Sequence, residues 1–153
     1  IFTLHNVAYI FFFFININEW NAKNPRSWSA YISINVISSF ACAVTIGLMV
    51  DALGFVPYAV VSRIIAINNI IGNFLGVILL IAVYDVTKNQ LGLLWIDVMR
   101  VKPVGLSVRG ICGAWIIAIG SIAGICAGFI PGLPTTAIIW SSLMLIILGS
   151  LIL

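Results

Sequence analysis

Long apolar runs, separated by short charged or turn-forming segments, dominate this chain. From residue 110 to residue 153 there is no Lys, Arg, Asp or Glu, and Pro131-Gly132-Leu133-Pro134 interrupts the run near its middle. A bilayer core about 30 Å thick is crossed by ~20 apolar residues in a helix. The pattern therefore predicts two membrane-spanning helices joined by a tight turn.

Charged residues and turn signals mark the ends of the remaining apolar runs. The predicted spans are Ile1–Ile17, Ala30–Val50, Ile64–Tyr84, Gly110–Ile130 and Thr135–Leu153. The first run begins without Met, so we expect the chain to start inside a helix whose upstream part is missing. A further missing upstream helix would bring the number of spans to six. The expected fold is all-α: a polytopic transmembrane helical bundle with five visible spans, in one integral membrane domain over residues 1–153 that is truncated at one or both ends.

Residues 91–108 mix an apolar start with charges, and the distribution of Lys and Arg decides how to interpret them. If this segment does not cross, six of the seven basic residues share one side and Arg63 alone lies near the other; if it crosses, the split is three against four. Basic residues favour the cytoplasmic side. The pattern favours an interfacial segment, with loops 18–29 and 85–109 in the cytoplasm and the Pro131 turn outside, as in a bacterial or archaeal cytoplasmic membrane.

The composition supports a membrane protein and argues against nucleic-acid binding. Hydrophobic residues make up 63% of the chain and charged residues 7%, whereas soluble domains carry about a quarter charged residues. The formal net charge of +3 indicates topology and contact with anionic lipid. Nucleic acid is not an expected partner, because the inner basic residues are divided between two loops without interleaved aromatic residues.

Glycines recur at four-residue spacing in two predicted spans. They are Gly120, Gly124 and Gly128 in one span, and Gly72 and Gly76 in another. In lipid, such a face lets helix backbones approach closely. Two interpretations stay open: packing within this chain, or docking of a separate membrane subunit on the 120/124/128 face.

The third predicted span carries three amides below a basic residue. Asn69 and Asn73 are four residues apart on one helix face, Asn68 is adjacent, and Arg63 stands at the outer end. Amides in hydrocarbon need partners, which neighbouring helices or a bound solute can supply. The candidate solute site is Arg63, Asn68, Asn69 and Asn73 with Asp51, and Asp51 can also pair with Arg63 across the turn.

Catalytic and metal-binding motifs are missing from the sequence. His5 is the single histidine, and Cys42, Cys112 and Cys126 are isolated from one another, so no metal-ligand, haem or iron-sulfur spacing exists. The acidic residues are too scattered for a paired acid-base site. We therefore expect that this chain is not an enzyme, has no catalytic residue and binds no metal or cofactor.

In its size, its span count and its amide-bearing third span beside an outward turn, the chain resembles the substrate-binding S components of energy-coupling-factor vitamin transporters. The resemblance is architectural. It implies a six-helix protein that binds a vitamin or a related metabolite near its outer face and docks sideways on a membrane partner driven by two ATPases. In that family the small-residue docking face lies on the first helix, whereas here the longest glycine ladder lies in the penultimate span.

Three function classes remain open from the sequence. The first is a small-solute binding component of a membrane transporter, which the resemblance and the amides favour. The second is a non-catalytic subunit or anchor of a larger membrane complex, which the glycine ladder favours. The third is a membrane sensor domain from a longer chain. The lipid bilayer is the expected partner in all three, with membrane subunits and a solute as further expected partners.

Overall fold

A computed structural model of the chain describes residues 25–92, 108–130 and 135–152, and all regular structure in these ranges is helical. The elements, in chain order, are α1 (Pro25–Ala52), α2 (Tyr58–Asp85), a π-helical turn (Val86–Gln90), α3 (Val108–Phe129) and α4 (Thr135–Ile152). The all-α prediction is confirmed for the described part of the chain.

All four α-helices are long and apolar enough to cross a membrane. They correspond to four of the five predicted spans, and they are compatible with a membrane-embedded protein. The predicted span Ile1–Ile17, the Pro131 turn and most of the predicted interfacial segment lie outside the described residues.

Helix α1 ends two residues later than its apolar run, because a glycine stops it. Gly54 has a φ of +73°, in the left-handed region that favours glycine. Its N–H donates to the carbonyl of Asp51 at 2.8 Å, and the N–H of Phe55 donates to the carbonyl of Val50 at 3.2 Å. This pair of hydrogen bonds is a Schellman motif, which satisfies carbonyls that the end of a helix leaves without partners.

Helix α2 begins well before the predicted Ile64. Pro57 immediately precedes its first residue, and its carbonyl accepts the N–H of Val61 at 3.3 Å, which is the first hydrogen bond of the helix. The side chain of Asp51 then accepts the N–H of Tyr58 at 3.2 Å. Capping therefore sets this boundary, and hydropathy alone could not locate it.

The chain divides into two compact units, Ile1–Ile70 with Leu106–Leu153, and Ile71–Gly105. In the first unit, α3 and α4 are antiparallel: Gly120 lies against Ser142 and Leu145, and Gly149 against Gly113. The first part of α2 is antiparallel to α1, since Gly47 faces Tyr58 while Asn35 reaches Ile70.

Helices α1 and α3 run parallel. Val44 lies against Gly124, and one turn further along each helix Gly47 and Gly128 both contact the ring of Tyr58. The starts of α1 and α3 therefore lie at the same end of this unit. Arg63 lies at the opposite end, where it contacts the last turn of α3.

Small residues fill the interior of the first unit. The fully buried side chains are mainly serines, with Val44 and Ile117 as the two large ones. Buried Ala, Ser and Gly are typical of membrane helix packing, in which close backbone approach replaces bulky side-chain contact. The interior residues of this kind include Ser39, Ala41, Ala43, Ser62, Ala66, Ala114, Ala118, Gly120, Ser121, Gly124, Ala127 and Ser142.

Large apolar side chains point outward instead. In the second unit, Leu75, Ile78, Leu79 and Leu80 are each more than 60% exposed. In water this surface would be costly, at roughly 25 cal/mol for each square ångström of apolar area. An acyl-chain environment removes that cost, so the distribution of side chains fits a bilayer.

Candidate functional site

A cavity of about 520 Å³ opens at the Arg63 end of the first unit. All four helices contribute to it. The lining residues are Leu48, Asp51, Ala52, Tyr58, Ala59, Arg63, Ala127, Gly128, Phe129, Ile130, Thr135, Thr136, Ile139 and Trp140. The volume falls within the roughly 300 to 1,000 Å³ that is usual for small-molecule sites.

Asp51 supplies the negative charge of the cavity. One carboxylate oxygen accepts the N–H of Tyr58 at 3.2 Å, which caps the start of α2. The side chain is otherwise exposed, so its second oxygen and further lone pairs remain open to a solute.

Arg63 supplies the positive charge. Its Nη2 donates to the carbonyl of Gly128 at 2.8 Å, and its guanidinium carbon lies 4.4 Å from the centre of the Phe129 ring. A cation at the end of α3 is favourable because that end carries carbonyls without helical partners. A guanidinium has five N–H donors, and one hydrogen bond leaves the rest of this planar fork available.

No ion pair joins Asp51 and Arg63 in the part of the chain that the structure describes. The sequence allowed such a pair across the turn, but each side chain instead bonds to backbone at a helix end. Both still line the same cavity. The site therefore presents two opposite charges that are not neutralised by each other.

Aromatic and hydroxyl groups form the rest of the wall. The hydroxyl of Tyr58 donates to the carbonyl of Gly124 at 2.8 Å, which fixes this ring against α3. Trp140 and Phe129 are about half exposed, and Thr135 and Thr136 place hydroxyl-bearing side chains at the start of α4. Trp140 and the threonines are functional candidates that the sequence reasoning missed, since nothing in the sequence connected α4 with Arg63.

The three predicted site asparagines do not line this cavity. Asn68 and Asn73 are exposed and Asn69 is partly buried, while Ser62 and Ala66 on the same helix face are buried. The described residues offer the side chains of Asn68 and Asn69 no hydrogen-bond partner. The structure thus brings together Asp51 and Arg63 of the predicted solute site, and does not bring the asparagines to them.

A different asparagine, Asn35, joins two helices in the interior. It is 3% exposed; its amide nitrogen donates to the carbonyl of Ile70 at 3.3 Å, and its oxygen accepts the hydroxyl of Ser39 at 3.3 Å. This residue holds α1 against α2 below the cavity and does not line it.

The glycine ladder in α3 is covered by this chain's own side chains. A Cβ at Gly124 would lie 2.7 Å from a methyl of Val44, and one at Gly128 would lie 3.2 Å from the Tyr58 ring. A Cβ at Gly120 would lie 3.0 Å from Leu145. Among the described residues, by contrast, a Cβ at Gly72 or Gly76 would meet nothing within 4 Å. A separate subunit would find the α3 glycines already covered, whereas no described residue covers those of α2.

Comparison of the chain with protein-family models, with curated proteins and with solved structures gives no match. The described residues also contain no group of three His, Cys, Asp or Glu side chains that could hold a metal ion. Inference about function therefore depends on the geometry of the cavity and on the membrane character of the helices.

Proposed function

We propose that this chain is a membrane-embedded solute-binding component of a transporter, comparable in role to the S components of energy-coupling-factor transporters. The observation that supports this most directly is the cavity at the Arg63 end, which combines two unpaired opposite charges with aromatic and aliphatic walls. Solute sites combine a mostly apolar lining with a few fixed polar groups in this way. The solute would be a vitamin or a similar small metabolite.

The proposed sidedness places the cavity at the outer face. Loops 18–29 and 85–109 would lie in the cytoplasm, since they hold six of the seven basic residues. The parallel course of α1 and α3 supports this proposal, because both helices start at the end opposite Arg63. A solute arriving from outside would then reach Asp51 and Arg63 without crossing the bilayer.

Thermal unfolding of the purified protein with a metabolite panel tests this function. We expect at least one small solute to raise the unfolding temperature, and Trp140→Ala to abolish that rise because it removes part of the cavity wall. Trp115→Ala is the matched control, since Trp115 is also about half exposed but does not line the cavity. If no solute stabilises the wild type, the transporter proposal fails.

A second candidate is a non-catalytic subunit or anchor of a larger membrane complex. Gly72 and Gly76 favour it, since within the described residues a Cβ at either position would meet nothing within 4 Å, and another helix could approach closely there. Mass spectrometry of the protein extracted gently from its native membrane tests this candidate. A stoichiometric partner that Gly76→Leu displaces, together with no solute binding, would place this role first.

A further inference from the structure

Building on the proposed function, we infer that the cavity is specific for zwitterionic solutes: Arg63 binds the carboxylate of the solute, Asp51 binds its ammonium group, and the apolar wall that includes Trp140 takes its remainder.

Asp51 and Arg63 are held in place, yet each retains hydrogen-bonding atoms that can contact a solute. Each makes one hydrogen bond to the backbone at a helix end, and these bonds hold the charged groups at the cavity wall. Arg63 is further fixed by the ring of Phe129, 4.4 Å away. A guanidinium held in this way can donate two parallel N–H groups to a carboxylate, which is the arrangement that arginine favours.

The combined charge of the cavity is zero, and this selects among solutes. A simple anion would satisfy Arg63 but would lie in a cavity that also holds the Asp51 carboxylate, and a simple cation would face the reverse problem. Partly excluding water strengthens such like-charge repulsion. A solute with one charge of each sign compensates both residues at once.

The wall accounts for the rest of the solute. Leu48 comes from α1, Ile139 and Trp140 come from α4, and the hydroxyl-bearing Thr135 and Thr136 of α4 also line the cavity. An aliphatic or aromatic body between the two charged groups, or attached next to them, would be covered by this surface. The class of solute is therefore an apolar amino acid or a longer amino-carboxylate.

A matched series of compounds tests this inference on the full chain in lipid nanodiscs by titration calorimetry. The probes are leucine, tryptophan, 4-aminobutyrate and 6-aminohexanoate, each with its N-acetyl derivative, which lacks the positive charge, and its carboxamide, which lacks the negative charge. We expect at least one zwitterion to bind, and both of its singly charged derivatives to bind at least ~10-fold more weakly.

Charge-removing variants assign the two roles. Arg63→Gln retains a donor for the Gly128 carbonyl, and Asp51→Asn retains an acceptor for the Tyr58 N–H, so both keep the contacts that support the fold. We expect Arg63→Gln to bind the zwitterion and its carboxamide equally, and Asp51→Asn to bind the zwitterion and its N-acetyl derivative equally. Arg109→Gln, which removes a charge far from the cavity at the start of α3, should leave the discrimination unchanged. Should either cavity variant fail to fold, Arg63→Lys or Asp51→Glu replaces it, with weaker binding expected.

Two results would overturn the inference. In one, a singly charged derivative binds as tightly as its zwitterion, or a neutral metabolite from the panel binds while every zwitterion fails; the solute-binding function then stands and the charge assignment falls. In the other, neither the panel nor the series binds, and the proposed function fails together with the inference.

Discussion

The hydroxyl of Tyr58 donates a hydrogen bond to the main-chain oxygen of Gly124 over 2.8 Å, which joins the first turn of α2 to the last third of α3. The same ring packs on Gly47 from α1 and on Gly128 from α3. One buried side chain thus connects three helices at the wall of the cavity.

Tyr58→Phe should lower stability modestly and keep the fold. The variant loses one hydrogen bond, which contributes ~0.5 to 1.5 kcal/mol, but retains the ring that the two glycines contact. Tyr58→Ala should cost ~3 to 5 kcal/mol because the ring is lost as well. Thermal unfolding in detergent measures both changes. An unchanged unfolding temperature for Tyr58→Phe would mean that the hydrogen bond from the Tyr58 hydroxyl to Gly124 does not stabilise the packing of α2 on α3.

Gly124→Ala should destabilise the protein, and Gly72→Ala should not. The added methyl at Gly124 would lie 2.7 Å from a methyl of the fully buried Val44, so one helix must move, whereas at Gly72 it would meet no described residue within 4 Å. In α2, alanine should even favour the helix by ~0.5 to 1 kcal/mol relative to glycine.

Larger substitutions extend the same comparison. Gly124→Leu should separate α3 from α1 and α4, while Ile122→Leu on the half-exposed side should be tolerated. The alanine pair and the leucine pair are each compared by unfolding temperature and by size-exclusion profile. Equal behaviour of the alanine variants at positions 124 and 72 would contradict the packing of the α3 glycines.

Labelling from outside should distinguish the two ends of the bundle. In a background without native cysteines, a membrane-impermeant maleimide should modify Thr136→Cys beside the cavity and spare Val108→Cys at the start of α3. The proposed sidedness, with its basic cytoplasmic loops, requires this pattern. A cysteine at position 132 should likewise be modified, and a cysteine at position 102 should be spared. The reverse labelling pattern in intact cells would show that the topology is inverted.

Asn35→Ala should be more destabilising than Asn68→Ala. The buried Asn35 amide contacts the Ile70 carbonyl and Ser39, and its loss leaves an interior carbonyl and hydroxyl with fewer partners, at a cost of ~1 to 3 kcal/mol. Asn68 is exposed, so its replacement removes an amide from the apolar surface. The unfolding temperatures of the two variants, measured in the same detergent, compare their stability.

Thermal scans with and without a stabilising solute test the predicted role of the amides in α2. If Asn69 and Asn73 contact the solute, Asn69→Ala and Asn73→Ala should weaken solute binding more than they weaken folding. The lining of the cavity leads us to expect the larger binding loss from Arg63→Gln instead. A binding loss confined to the asparagine variants would move the site away from the Arg63 end.

Hydropathy alone located four of the described helices, because the need for ~20 apolar residues imposes a long and unmistakable run. It missed the start of α2 at Tyr58 and the end of α1 at Ala52, since these depend on Pro57, Gly54 and the Asp51 side chain. Such caps act over a few residues and leave little mark in an average over a span.

The inward and outward faces could not be predicted from the sequence for a different reason. In a bilayer, both faces of a helix are apolar, so there is no alternation of polar and apolar positions to indicate the interior. The stripe from Ser62 through Ala66 to Asn69 and Asn73 has one periodicity, yet it passes from buried to exposed along α2. The cavity in turn depends on α4, whose Trp140 carries no sequence signal that relates it to Arg63.

The small-residue interior has a consequence for how this protein can drift over evolutionary time. Outward Leu, Ile, Val and Phe can replace one another with little effect, since acyl chains adapt to any apolar shape, whereas inward Gly, Ala and Ser cannot grow without forcing helices apart. Diverged relatives should therefore agree least at their bulky positions and most at their tiny ones.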